Sequence, residues 1–135
     1  MINWIDRFYN LQEFITNKFG IEVTLFEQIP EDLYLTEEDV PYNGTAYLEN
    51  PDGSYLIDVY GDIEKYPSQM ICVLIHEFGH ILAHISFGKE HSEMDAWLMG
   101  LNYFDEKFIP PNFHEVMTNC LETYDEEALS LFINY

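Results

Sequence analysis

Basic residues are scarce in this chain. Its 135 residues hold 5 Lys and Arg against 25 Asp and Glu, a formal net charge of −20 at pH 7, and Arg7 is the only arginine. Nucleic-acid binding needs Lys and Arg to replace the counterions around phosphate, so direct binding to DNA or RNA is excluded as an expectation. Docking on anionic lipid is disfavoured for the same reason. A basic protein partner would be steered toward such a surface. Cysteine is nearly absent too. Cys72 and Cys120 cannot form a disulfide framework, and neither is spaced with another Cys or His for a structural zinc site. Reduced, buried thiols in a cytoplasmic protein are the expectation. No leader is expected either, since Asp6 and Arg7 interrupt the first apolar stretch. No apolar run is expected to reach the ~20 residues that span a bilayer, and no repeat or low-complexity tract appears.

What is present is apolar and aromatic. Hydrophobic residues make up 47% of the chain, with ten Tyr, ten Phe and two Trp, which suits a packed core. The length suits one domain, residues 1–135. Ile5, Phe8, Tyr9, Gln12, Ile15 and Phe19 recur at three- and four-residue steps, so an amphipathic helix is predicted up to Gly20. Ile21, Val23 and Leu25 alternate with polar residues as in a half-buried strand. Two further β-rich runs, Gly44 to Leu48 and Ser54 to Tyr60, flank the turn sequence Asn50-Pro51-Asp52-Gly53 and predict a hairpin. Pro67 and Ser68 open an apolar helix that Gly88 stops. Ser92-Glu93-Met94-Asp95 resembles a capping box for a helix running to about Lys107. After Pro110-Pro111, Asn112 is placed to cap a last helix through Leu121 or beyond. Helix, three strands, then helices predict a small α+β domain.

The chemistry concentrates in His76-Glu77-Phe78-Gly79-His80, an H-E-x-x-H sequence inside the apolar helix. Residues four apart share a helix face, so both imidazoles can reach one Zn²⁺ at ~2.0–2.1 Å. Glu77 between them is placed to take a proton from an attacking water. A catalytic zinc needs a third protein ligand and an open position. His84, His91 and Glu93 are the candidates. His84 lies two turns from His76, ~12 Å along the axis, too far for two imidazoles to meet at a tetrahedral angle. Glu93 opens the helix after the Gly88 break. Ala96 and Gly100 on its face would let that helix approach the metal helix closely. Asp95 reads as the cap, and His91 sits in the loop.

HEFGHILAH followed by EMDAW resembles the ImmA/IrrE group, small bacterial and phage-associated zinc metallopeptidases within the gluzincin class. The resemblance extends over roughly residues 1 to 122, and the metal motifs are its specific part. It implies a zincin-like domain with one Zn²⁺ per chain. His76, His80 and Glu93 would be its ligands, and Glu77 the catalytic base. It also implies a protein substrate such as a repressor-like regulatory protein of a phage or mobile element. Trp97 stands where Asn or Asp commonly follows the E-x-x-A alanine, which removes an expected hydrogen bond to a ligand. A stabiliser of the developing oxyanion is not evident, with His114, Tyr103 and Tyr124 as candidates.

Two functions follow as expectations. One is a zinc peptidase whose substrate lies extended along a strand edge within Ser54 to Tyr60. The other is a metal-binding acidic scaffold, catalytically idle, that binds or inhibits a basic nucleic-acid-binding protein.

Overall fold

The chain begins with helix α1, Trp4–Phe19. Asn3 caps it, its side-chain oxygen accepting from the backbone N–H of Ile5 and Asp6, and Gly20 ends it in the left-handed conformation at φ 69°. This is a computed structural model describing residues 3–27, 41–88, 90–104 and 108–124, with 120–124 described by their backbone alone. The face that α1 buries is Phe8, Leu11 and Ile15. Tyr9 and Phe19, expected on that face, are 44% and 38% exposed. Leu11 takes the inner position, while Gln12 donates to Val23 O and Thr16 to Ile21 O, both at 2.8 Å. Polar side chains on α1 thus tie it to the strand that follows.

Three strands, β1 (Glu22–Phe26), β2 (Tyr42–Tyr47) and β3 (Leu56–Gly61), form one mixed sheet in the order β1-β3-β2. β1 runs parallel to β3, and β2 pairs antiparallel with it from Tyr42↔Gly61 to Tyr47↔Leu56. The hairpin is as predicted. Gly53, at φ 79°, donates to Asn50 O, and the Asn50 amide donates to Ser54 O. The expected substrate edge is not. β3, which occupies the Ser54 to Tyr60 run, is the central strand and is paired on both sides. Its Ile57 and Val59 are fully buried, and a strand that apolar belongs in the middle. The more polar β2 lies at an edge, and among the described residues nothing pairs with its outer side.

Helix α2, Pro67–Phe87, lies against α1, β2 and β3 and is buried without a break from Met70 to Gly79. Pro67 opens it, where a missing N–H costs nothing, and Gly88 closes it at φ 82°, donating to His84 O. Contrary to the expectation, α2 is long and apolar enough to cross a bilayer by length and composition, with a mean hydropathy of 1.5. Two thirds (67%) of its most apolar stretch is buried inside the protein, as in any core helix, and it carries His76, Glu77 and His80.

The capping box is present: Ser92 Oγ accepts from Asp95 N, and the Asp95 carboxylate accepts from Ser92 N. The helix it starts, α3 (Glu93–Tyr103), is shorter than predicted. Phe104 is already extended, and its ring packs on Phe14 and Phe78. Burying that ring against α1 and α2 turns the chain out of the helix. Residues 105–107, with Lys107, lie outside the described residues. Helix α4, Phe113–Tyr124, follows. Asn112 stands at its N-cap position, its carbonyl accepting from Val116 N, but its side chain makes no cap bond. The Asn112 amide donates to Ser68 Oγ at 3.3 Å, and its buried side-chain oxygen has no partner. Cys72 is buried; the Cys120 side chain lies outside the described residues. The observed architecture is α+β: an N-terminal helix, a mixed three-stranded sheet and C-terminal helices.

Candidate metal centre

Small residues bring α2 and α3 together. A Cβ built on Gly79 would lie 1.8 Å from the carbonyl oxygen of Ala96, and one on Gly100 would lie 2.4 Å from that of Ile75. The two helices therefore touch backbone to backbone, and Glu93 at the start of α3 reaches the face of α2 that carries both imidazoles. Glu93 Oε2 stands 2.8 Å from His76 Nε2 and 3.1 Å from His80 Nε2. The three donor atoms all lie within 4.8 Å of one another. Ligands of a tetrahedral zinc with ~2.0–2.1 Å bonds are about 3.3 Å apart. A shift of a few tenths of an ångström in the carboxylate would therefore admit an ion. Two imidazoles and one carboxylate are also a catalytic-zinc donor set. The His76, His80 and Glu93 group could hold a metal ion.

The surroundings fix each donor differently. The indole of Trp97 stacks on His76, ring centres 4.1 Å apart and planes within 9°. Phe113 of α4 packs edge-on against the other partner, Trp97, at 5.5 Å. Trp97 is fully buried, and its Nε1 has no hydrogen-bond partner. Trp97 thus holds His76 by its face instead of by a hydrogen bond. His80 is held at the edge: its Nδ1 lies 2.8 Å from His91 Nε2, and His91 Nδ1 lies 2.9 Å from Gly88 O.

Glu77 is buried, with Oε1 3.2 Å from His76 Nδ1. It stands beside His76, against the edge strand, and not within the three-donor group. Gly44 of β2 makes that approach possible, since a Cβ there would fall 2.6 Å from Val73 Cγ1 and 2.8 Å from Glu77 Cγ. Burial pulls the His76 pKa down, but the charges of Glu77 and Glu93 outweigh it and hold the imidazole at about 9. For Glu93, burial works upward, yet the hydrogen bonds from His76 and His80 keep its carboxyl well below the ordinary 4.5. Without a metal this is a cationic imidazole locked to a carboxylate.

The remaining candidates fall elsewhere. His84 stays outside the donor group; its ring meets Tyr55 edge-on at 6.1 Å, and its Nδ1 is buried without a partner. His91 contacts His80 but is not itself one of the three donors. Tyr103, at the opposite end of α3 from Glu93, packs on Phe19, Phe78 and Phe104 under Lys18 and cannot serve the site. His114 is an exposed residue of α4, beside Phe113. The Tyr124 side chain lies outside the described residues. The supporting roles of Trp97 and His91 escape spacing arguments, because a stacked ring and a loop histidine follow no helical period. Set against known proteins, this chain matches no family model, no curated protein and no solved structure.

Proposed function

We propose that this chain is a zinc-dependent peptidase of the ImmA/IrrE kind, with His76, His80 and Glu93 as ligands and Glu77 as general base. The observation that carries the reading is the convergence of three donors from two helices on one point, with a buried glutamate between that point and a strand edge that is unpaired among the described residues. Zn²⁺ held there would polarise a scissile carbonyl and make a neighbouring water more acidic. Glu77 keeps Oε1 on His76 Nδ1, which leaves Oε2 to take the proton of the attacking water and pass it to the departing amine. β2 offers its outer backbone to an extended substrate segment. Beyond its end lies an open groove of about 440 Å³, lined by residues 46–50 and His84, with room for substrate side chains. A phage or mobile-element regulatory protein is the substrate class that the resemblance suggests.

A net charge of −20 favours a second reading, an acidic metal-binding scaffold that occupies a basic partner without cutting it. Two variants separate these. Wild type purified with excess zinc is expected to hold one zinc per chain, and Glu93→Ala to lose it. Glu77→Gln is expected to keep the zinc and the fold but to cut no peptide, the loss falling in kcat because the amide cannot act as a base. A site completed by His84 or His91 ends the assignment of Glu93 as ligand, and no bound metal ends the peptidase reading. Hydrolysis that survives Glu77→Gln removes Glu77 as base. A wild type that binds zinc and a partner but cleaves nothing leaves the scaffold.

A further inference from the structure

His91 belongs to neither ligand helix, yet its ring bonds the end of α2 at Gly88 and His80 within that helix. A carbonyl oxygen only accepts, so the contact of 2.9 Å with Gly88 O places a proton on His91 Nδ1. In the neutral ring Nε2 is then an acceptor. The atom it faces at 2.8 Å is His80 Nδ1, which must therefore carry the proton of that bond. Zinc taken up at Nε2, the atom that donates to Glu93 Oε2 at 3.1 Å without a metal, would leave His80 its proton at Nδ1 and free the Nε2 lone pair to ligate. Two hydrogen bonds in series thus select the tautomer that can ligate, starting from a backbone carbonyl that cannot reverse its role.

Position adds to this. Gly88 ends α2, and Ser92, next to His91, caps α3. The same ring therefore anchors the connection that delivers Glu93 to the site. We infer that His91 is a positioning residue for the metal centre: it orients His80, sets its tautomer through Nε2, and holds the turn that presents Glu93. This rests on the metal-centre reading above. Partners of this kind commonly change metal affinity 10- to 100-fold when removed, because the ligand's orientation and basicity are lost with them.

Zinc affinity, measured by competition with a chromophoric chelator, tests it in wild type, His91→Leu and His91→Gln. Leucine removes the acceptor; glutamine places an amide oxygen near the position of Nε2. His91→Leu is expected to bind zinc roughly 10- to 100-fold more weakly, and His91→Gln to recover most of that loss. A space-filling role alone would leave the two variants alike. Equal affinity in wild type and His91→Leu, or a glutamine variant as weak as leucine, overturns the inference while the metal centre stands. A wild type that binds no zinc overturns the metal centre and this inference with it. A second measurement needs no variant. In the zinc-loaded wild type, the His80 Nδ1 proton is expected as a downfield resonance protected from exchange, and free exchange with water overturns the inference even if His91→Leu does not fold.

Discussion

The His76 imidazole is enclosed by two carboxylates and an indole, and its protonation follows from that company. Held at about 9 against an ordinary 6.5, it stabilises the zinc-free protein fully below pH 6.5 and loses that contribution as pH rises through 9. Glu93, held below its ordinary 4.5, contributes above that value and loses its share as pH falls further. The zinc-free protein is therefore expected to melt highest between about pH 4.5 and 6.5, with Tm falling from pH 6.5 to 9.5. Thermal melts in the presence of a chelator check this; a Tm flat across that range would mean that the cationic pair contributes nothing. Saturating zinc should reverse the trend, because His76 must be deprotonated to ligate. The two histidines and Glu77 were legible in the sequence because a four-residue helical spacing is fixed geometry. Trp97 was legible only as a departure, since no spacing rule says that an indole can hold an imidazole by its face.

At the scale of elements, the site depends on how closely α3 can lie on α2. Gly79 and Gly100 meet backbone carbonyls of the facing helix, and neither of those carbonyls can move aside as a side-chain tip could. Gly79→Ala is expected to cost on the order of 3 kcal/mol and to weaken zinc binding by displacing Glu93. Urea titration and zinc competition on the one variant check both effects. An alanine variant with wild-type values would mean that the helices have slack between them. The sequence indicated this contact through Ala96 and Gly100, and it indicated the helix ends through Gly20, Gly88 and the Ser92 box, all local chemistry. It misplaced what long-range packing decides. The order of strands put β3 in the centre, Phe104 left α3 early to reach Phe78, and the Asn112 side chain turned toward Ser68 instead of closing the cap of α4.

For the whole molecule, charge is the dominant long-range property. With 25 acids and 5 bases, a protein partner is expected to present a basic surface. Its association should slow steeply as salt shortens the screening length to ~8 Å at physiological ionic strength. Stopped-flow on-rates at low and high salt check this, and Glu77→Gln should leave the salt dependence intact. An on-rate indifferent to salt would confine the acids to solubility and direct attention to the groove beside β2.

The donors His80 and Glu93 sit 13 residues apart in the chain, on opposite sides of one turn, and this makes an ion between them a cross-link. Bridging them closes a ring of chain in the folded state and joins the helix that carries the sheet to the helix that carries α4 through Trp97 and Phe113. At a free zinc concentration 100 times its Kd, such a link adds ~2.7 kcal/mol to folding stability, on the order of 10 °C in Tm. A chelator should then act as a selective denaturant. Amide exchange in α3 and α4 is expected to accelerate before that in α1 and β3, so the half that supplies Glu93 would loosen while the sheet stayed folded.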